Sequence, residues 1–561
     1  MQKKSHQQPR KSAQQQQTVA PAKRRWRLLP VLPVFFILTW IWAGWYYGSV
    51  FHVSREYSFW VADTRIMEFI LSQPYGILRY MGRAMLQLYK YPWLGGLLMA
   101  LMLTAISWLA GYCMRQTLSN SLLKGENKKS PFKGDLEGLS FLQYLPALCY
   151  MAAVTFLGLD VFFEARTGFI FGIPFVMLVV LCIWGVIIRS FRGRPTPSPS
   201  LVGRGEDTTG KLTTPLPTRE RLGEGLFILL FFAAIIGFDQ WQRPYVRVIC
   251  QLLDMEYRQD WAGIQKLARK NATMSNRPMA CSYAIALVQT GQVAERLFDI
   301  RMDYDSLYLH GVDGEHNNAS ALYVPEGNYY GGFIESAEHA SMEQMVMTGP
   351  TVRLLKLQTK CALMREEWEL ADKYLAILRR VPFEGDFCSK YAPMVRRLDL
   401  VNADNEMALI RLTEPLHDSY ENQYQQPLFM GYNLMLVEGR SPNALINSLV
   451  VCLYTKLMPQ FVERLEPIVG TTPPSIITDG ILLAENKNPG LSRQFAGINF
   501  RQSQMQNFIR NIQPYMNDRP GHAYELFPRY KGYYPYYYFF GNLKATRKGY
   551  TSLQSSNSGV N

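Results

Sequence analysis

Histidine and cysteine, on which many metal and nucleophilic sites depend, are scarce in this sequence of 561 residues. It has seven histidines and eight cysteines, and no two cysteines have the CxxC spacing of a zinc or redox site. The sequence also lacks the phosphate-binding patterns GxxxxGKS/T and GxGxxG, the zinc motif HExxH and the nucleophile motif GxSxG. These absences argue against the common nucleotide-binding, metalloprotease and hydrolase families, and we expect no cofactor.

Long apolar runs are absent after residue 243, but five occur before it, in a region that we assign to residues 29–243. A helix needs about 20 apolar residues to cross a bilayer. The fifth run has only 14 before Asp239, so its length leaves open whether it crosses. The sequence predicts an N-terminal bundle of about five transmembrane helices, with the lipid bilayer as a partner and spans near residues 28–50, 92–114, 139–159, 169–188 and 225–241.

Two polar segments accompany these runs. Residues 1–28 form a basic tail whose composition cannot build a core. Residues 189–224 are rich in proline, glycine, threonine and arginine and show no apolar periodicity. We expect both segments to be disordered, and the second to be a tolerated insertion.

Acidic residues are in deficit, with 45 against 59 basic ones and a net charge of +14. The excess lies in the membrane half, because residues 241–561 hold 33 basic and 32 acidic residues. With five spans, the tail and the two loops on its side carry 20 Lys and Arg, and the opposite loops carry 6. The positive-inside rule then predicts a cytoplasmic N-terminus and a C-terminal domain outside the cytoplasm. Since the basic residues follow membrane topology, we expect no nucleic-acid partner.

The C-terminal half, residues 244–545, has the apolar period of helices and few signals for strands. One segment resembles half of a tetratricopeptide unit, with Trp368, the small Ala371 three residues later and a closing proline. Looser copies begin at Trp261, Val293 and Phe333, so the anchors are 32, 40 and 35 residues apart. The pattern predicts an all-α chain that ends in a degenerate tetratricopeptide-like helical-repeat domain, followed by a flexible tail at residues 546–561.

Several short stretches bring a known family to mind. They are Gln73-Pro74-Tyr75-Gly76-Ile77-Leu78, Tyr91-Pro92-Trp93-Leu94-Gly95, Ala337-Glu338-His339-Ala340, Leu354-Leu355-Lys356 and the segment from Glu367 to Leu375. Together with the aromatic C-terminus, they resemble an uncharacterised family of bacterial multi-pass inner-membrane proteins with a C-terminal helical-repeat domain. The resemblance would cover about residues 29–545. It implies the architecture and no catalytic residue.

Two groups of polar residues are candidates for chemistry. Glu56 and Asp63 follow the first span, where multi-span glycosyltransferases that use lipid-linked sugars carry an acid that deprotonates an acceptor or holds a metal. The alternative is that Asp63 lies on the water-exposed face of an amphipathic helix at the membrane surface. His310, Asp313 and His316 could ligate a divalent metal, although a solvated loop explains them equally well.

The sequence therefore favours a non-catalytic function over an enzymatic one. We expect a multi-pass inner-membrane protein that presents a periplasmic helical-repeat scaffold to other envelope proteins or glycans, since repeat domains bind partners along extended surfaces. The alternative is a lipid-linked sugar or envelope-glycan transferase that uses the acids of the first outer loop.

Overall fold

The computed structural model confirms an all-helical fold. It describes residues 31–123, 140–157, 167–192, 218–242, 244–274, 277–302, 324–414, 442–495 and 497–541. Within these ranges the regular elements are α-helices, short 3₁₀-helices and one π-helical turn, and no β-strand is present.

The described part of the first 242 residues forms the helices that contain or adjoin the predicted spans. In chain order these are α1 (Val31–Ile41), α2 (Gly48–Glu56), α3 (Thr64–Leu71), α4 (Gly76–Leu86), α5 (Pro92–Leu123), α6 (Leu145–Leu157), α7 (Phe169–Arg192) and α8 (Thr218–Gln242).

Shorter helices make up the remainder. They are α9 (Pro244–Tyr257), α10 (Trp261–Lys270), α11 (Arg277–Gln289), α12 (Val293–Arg296), α13 (Val324–Tyr330), α14 (Ile334–Thr348), α15 (Val352–Met364), α16 (Trp368–Leu378), α17 (Gly385–Tyr391), α18 (Leu398–Ala403), α19 (Asn405–Arg411), α20 (Pro442–Thr455), α21 (Met458–Glu463), α22 (Ser475–Ala484), α23 (Gln502–Ile512), α24 (Arg519–Tyr530) and α25 (Tyr534–Phe540).

Among the described residues, three helices are long and apolar enough to cross a membrane: Pro92–Thr117, Phe169–Ser190 and Gly223–Gln242. A fourth is obtained if the bent pair Val31–Tyr46 and Gly48–Glu56 is one span. These are the helices of a membrane protein, and by length and composition they number three or four where five were predicted. In the described part of the run at 139–159, the apolar helix covers Phe141–Phe156, which is shorter than a straight span requires.

The first span is not the straight helix that its uncharged run predicts. A π-helical turn at Trp42–Tyr46 is followed by a bend of 56° between α1 and α2. At the bend, the hydroxyl groups of Tyr46 and Tyr47 donate hydrogen bonds to the two carboxylate oxygens of Asp239, at 2.8 and 2.9 Å. This contact satisfies the carboxylate near the end of α8 and fixes the bend against that helix.

Glycines let the membrane half pack closely at two crossings. A Cβ atom on Gly82 of α4 would lie 1.7 Å from the carbonyl oxygen of Gly168, just before α7. A Cβ atom on Gly96 of α5 would lie 2.5 Å from the Cα atom of Gly44 in the π-helical turn. Neither crossing leaves room for a side chain, so both depend on glycine.

One turn geometry recurs between the helices of the C-terminal half. At five helix ends a residue has a left-handed backbone with φ of 59° to 88°, and the next amide donates to a carbonyl five residues earlier. This is the Schellman cap, which satisfies carbonyls that a helix end leaves free. The left-handed residues are Gln259, Gly291, Gly332, Glu366 and Lys456.

The predicted repeat anchors lie just after four of these turns. Trp261, Val293 and Trp368 are the first residues of α10, α12 and α16, and Phe333 directly precedes α14. Ala371 is fully buried in α16, as a small packing residue should be. The positions are therefore those of helical hairpins, while their kinship with tetratricopeptide units stays a prediction.

The helix α2 is the element around which the two halves meet. Its residues are buried except for Ser49, which is half-buried, although the helix ends in the polar sequence Ser54-Arg55-Glu56. It packs against α5 and α4 of the membrane half and against α9 and α15 of the C-terminal half. A helix buried on every side must pair its charges inside the protein, and this requirement creates the site described below.

The recurring turn gives a stability test. Replacing the exposed Glu366 by glycine removes the steric cost of a left-handed backbone, so Glu366→Gly should raise the free energy of unfolding by up to about 1 kcal/mol. The matched change Gly291→Ala adds a Cβ atom that touches nothing at φ 68° and should lower stability by about the same amount. Thermal melting of the detergent-solubilised protein measures both, and equal shifts of the same sign would contradict the explanation.

Candidate functional site

The described residues enclose a charged cavity of about 330 Å³ where α2 meets the C-terminal helices. Acidic and basic side chains alternate around it, together with aromatic rings. The lining residues are Glu56, Lys90, Glu256, Tyr257, Arg258, Gln259, Glu326, Tyr329, Tyr330, Arg353, Lys356, Leu357, Lys360, Glu384, Asp386, Phe387, Lys390 and Tyr391. We call this space the charged cavity.

A buried ion cluster forms one wall of the charged cavity. The guanidinium of Arg55 contacts the carboxylates of Glu56, at 2.6 Å, and of Glu384. Lys356 bridges the same two carboxylates at 3.0 and 2.9 Å, and Lys90 lies 3.3 Å from Glu384. Arg55, Glu56 and Glu384 are at most 2% exposed. Charges this deeply buried are tolerable because each has more than one partner.

The sequence of α15 explains how three cations reach this place. Thr351 caps the helix, since its hydroxyl accepts a hydrogen bond from the amide of Leu354 at 3.2 Å. Arg353, Lys356 and Lys360 then follow at spacings of three and four residues, which places them on one face of the helix. The neighbouring apolar residues of α15 are buried, so this basic face is held against the rest of the domain.

Arg353 lies between the charged cavity and a second pocket and lines both. Its Nη1 atom donates to both carboxylate oxygens of Glu326 at 2.5 Å, and its guanidinium lies 4.4 Å from the ring centre of Tyr57. Burial alone would lower the pKa of Arg353, but the carboxylate of Glu326 raises it above its ordinary value. The arginine is therefore a permanent cation fixed in the wall.

Lys360 has an environment similar to that of Arg353. Its ammonium lies 2.8 Å from Glu406 and 5.6 and 5.8 Å from the ring centres of Tyr329 and Tyr391. Burial opposes the charged form, yet the nearby Glu406 carboxylate raises the pKa of Lys360 well above its usual range. In contrast, burial lowers the pKa of Lys356, with smaller contributions from the charges of Lys90 and Arg55, although Glu56 and Glu384 oppose the shift.

One acid of the charged cavity is held in its neutral form. Glu256, near the end of α9, accepts a hydrogen bond from Ser282 at 3.3 Å. Burial, helped by the charge of Glu326, raises the pKa of Glu256 to about 8. At neutral pH this carboxyl is largely protonated, and it can donate a hydrogen bond instead of contributing a negative charge.

The residues predicted for chemistry are not brought together. Glu56 lines the charged cavity, but its carboxylate is held by Arg55 and Lys356. Asp63 instead caps α3, where it accepts from the amide of Arg65 at 2.8 Å, and it pairs with the exposed Arg380. It does not line the charged cavity.

The structure does not describe the three residues predicted as metal ligands. His310, Asp313 and His316 lie outside the described residues. Within the described ranges, no group of three or more histidine, cysteine, aspartate or glutamate side chains could hold a metal ion.

Sequence reasoning missed the cations of α15 and their partner Glu384. A signal for the first was present, since basic residues at i, i+3 and i+7 on an otherwise apolar helix indicate a functional or paired face. No comparable signal marks Glu384, which lies in the turn before α17 and 329 residues from Arg55.

A comparison with known families assigns the chain. The model of a family of unknown function (DUF6057) matches residues 24–194 and 227–541, which make up most of the sequence. The chain belongs to this family. The match of this DUF6057 protein omits residues 195–226, most of which lie in the segment rich in proline and glycine.

Other comparisons add no function to the DUF6057 protein. No curated protein and no solved structure matches it. The predicted resemblance to an uncharacterised family is therefore confirmed, and the charged cavity must be interpreted from its own chemistry.

The ion cluster gives a second test. In Glu384→Gln the side chain keeps its size but loses its charge, which leaves Arg55, Lys90 and Lys356 with Glu56 alone. Removing one partner of a buried ion cluster costs about 3 kcal/mol or more, so this variant should melt well below the wild type. Asp399→Asn, which breaks an exposed pair with Arg397, is the control and should melt with the wild type. Equal melting of all three proteins would show that the cluster does not hold the halves together.

Proposed function

We propose that the protein is a membrane-anchored helical scaffold that binds an anionic, sugar-containing envelope component in the charged cavity. The observation that carries this proposal is the convergence of four lysines with a set of aromatic rings, beside the helix that leaves the membrane. The lysines are Lys90, Lys356, Lys360 and Lys390, and the rings are those of Tyr257, Tyr329, Tyr330, Phe387 and Tyr391.

The charge of the lining favours an anion. Six basic and five acidic side chains line the charged cavity, and one of the acids, Glu256, is largely neutral at pH 7. The lining itself thus has a positive excess of two charges, but Arg258, Lys360 and Lys390 also pair with Asp254, Glu406 and Asp404 outside it. A phosphate or carboxylate group would bind by competing with these carboxylates for the basic side chains. Aromatic faces with a few fixed polar groups are typical of sites for small organic ligands, and sugar rings offer both apolar faces and hydroxyl groups.

The scaffold part of the proposal is supported by the recurring turns. Five helix ends share one capped geometry, and successive helices from α9 to α12 and from α13 to α17 contact their neighbours along the chain. Such sequential packing is what a degenerate helical-repeat domain requires.

Contacts between the two halves support the proposed orientation. The end of α2 and the C-terminal domain lie on the same side, since Arg55 meets Glu384 and the amide of Val352 donates to the carbonyl of Ser58 at 3.1 Å. If the basic tail is cytoplasmic and α1 and α2 together cross the membrane once, this contact supports a periplasmic C-terminal domain.

This orientation requires α6 to cross as well, despite its short length. The helix runs alongside α8 in the same direction, since Phe141 lies near Phe227 and Phe156 near Phe238, with ring centres 5.1 and 4.5 Å apart. If α8 crosses the bilayer, the segment from Phe141 to Phe156 lies beside Phe227 to Phe238, the central part of that helix. Local thinning of the bilayer would accommodate its shortness.

Reporter fusions test the orientation. A reporter active only in the periplasm should be active when fused after Gly541 and inactive when inserted at Lys128, in the loop between α5 and α6. A cytoplasm-active reporter at the same two positions should give the opposite result. Cytoplasmic activity after Gly541 would overturn the periplasmic placement.

Binding of glucose 1-phosphate to the purified full-length protein in detergent tests the function. Calorimetric titration should show binding that neither glucose nor inorganic phosphate reproduces, because the sugar and the anion use different parts of the lining. The double variant Lys90→Gln and Lys390→Gln changes partly exposed lysines and should weaken binding about ten-fold or more.

The control is Lys373→Gln, an exposed lysine of α16 that does not line the charged cavity. It should bind like the wild type. Absence of binding, or an equal loss in the control and the double variant, would refute the proposed function.

A further inference from the structure

A second pocket lies on the other side of Arg353. It has a volume of about 480 Å³, within the range of small-molecule sites, and is formed by α3, the last turn of α4, the end of α14 and the beginning of α15. Its walls are mainly apolar, with Phe59, Ile66, Phe69, Met347 and Leu354 among them. We call it the apolar pocket.

The apolar pocket lies at the level where the membrane begins. The helix hairpin of α3 and α4 packs against the first turns of α7, which is one of the membrane-spanning helices. Tyr75, between α3 and α4, has its ring centre 6.0 Å from that of Phe169, the first residue of α7. The helix hairpin that lines the pocket therefore also contacts a candidate span.

Exposed apolar side chains surround the apolar pocket, which is unusual for a surface in water. Phe69 is 66% exposed, Val346 80% and Met347 69%, and Tyr75 and Ile77 on the same hairpin are 72% and 68% exposed. A cluster of this kind marks a surface that contacts lipid or a partner. Its position beside the spans favours lipid.

The charged side chains that line the apolar pocket are both cationic. Arg83 and Arg353 both line it, and Glu326 holds the second of them in place. Burial, with the neighbouring charge of Arg79, lowers the pKa of Arg83 to about 10, so the side chain remains charged at neutral pH. A neutral hydrocarbon would gain nothing from these arginines, whereas an anionic head group would.

The charged cavity and the apolar pocket share one residue in their linings, Arg353. From this juxtaposition we infer that the two spaces form one site for an anionic membrane lipid. The hydrocarbon chain occupies the apolar pocket, its phosphate lies against Arg353, and the polar head group extends into the charged cavity. The inference rests on the proposed function, since the charged cavity would hold the head group, and it adds that the ligand is drawn from the membrane.

Farnesyl phosphate, a short isoprenyl phosphate, is the probe for this inference, with farnesol and glucose 1-phosphate as probes for its two parts. The full-length protein in detergent should bind farnesyl phosphate at least about ten-fold more tightly than either one, because only this probe fills the apolar pocket and meets Arg353 together. Titration monitored by native mass spectrometry measures the three affinities.

Surface variants separate the two spaces without disturbing the core. The double variant Phe69→Asn and Met347→Asn changes exposed residues of the apolar pocket and should weaken farnesyl phosphate binding about ten-fold, while glucose 1-phosphate binding stays unchanged. Ile77→Asn is the matched control, since Ile77 is as exposed as Phe69 but does not line the pocket. Its farnesyl phosphate affinity should equal that of the wild type.

The outcomes distinguish this inference from the proposed function. If glucose 1-phosphate binds but farnesyl phosphate binds no more tightly, the proposed function stands and the lipid inference is wrong. If Ile77→Asn loses as much affinity as the double variant, the probe partitions onto the apolar surface and the lipid inference is again wrong. If neither glucose 1-phosphate nor farnesyl phosphate binds, both fail.

Discussion

The buried ion cluster at the end of α2 is the interaction on which the rest of the structure depends. Arg55 and Glu56 belong to a helix that continues the first apolar segment, and their partners Lys356 and Glu384 belong to the C-terminal half. An apolar contact at this junction could slide, but charges buried from water must meet their partners at defined positions. The cluster therefore sets the position of the helical domain relative to the membrane helices, and it forms the wall that separates the charged cavity from the protein core.

Much of the fold could be predicted from local patterns. Apolar length located three of the spans, and helical periodicity placed the hairpins at Trp261, Val293, Phe333 and Trp368. By length and composition the described helices give three or four spans and not five, because the helix at 139–159 is short and the first segment is bent. Neither feature could be predicted from composition. The bend depends on Asp239, which lies nearly 200 residues away in the sequence.

The site was harder to predict than the fold for a physical reason. Glu56 was a candidate because it follows a span, but its role is set by Lys356, which is 300 residues distant. The left-handed turns were equally hidden, because Gln259, Glu366 and Lys456 occupy positions where sequence rules expect glycine. The alternative function that the sequence suggested, a glycan transferase, stays a prediction, although its two candidate acids, Glu56 and Asp63, are both engaged in ion pairs.

The long separation of Arg55 from Glu384, 329 residues, also matters for biosynthesis. The ribosome releases α2 early, and the carboxylate that neutralises its arginine is made only after all the described membrane helices. A nascent chain thus passes through a stage in which its spans are inserted while a helix meant for the interior carries exposed charges and apolar surface. Chains truncated before residue 384 stay at this stage, which makes them natural targets for membrane quality-control proteases and chaperones. Completion of the C-terminal half, and not insertion of the spans, is therefore the step that commits the protein to its native state.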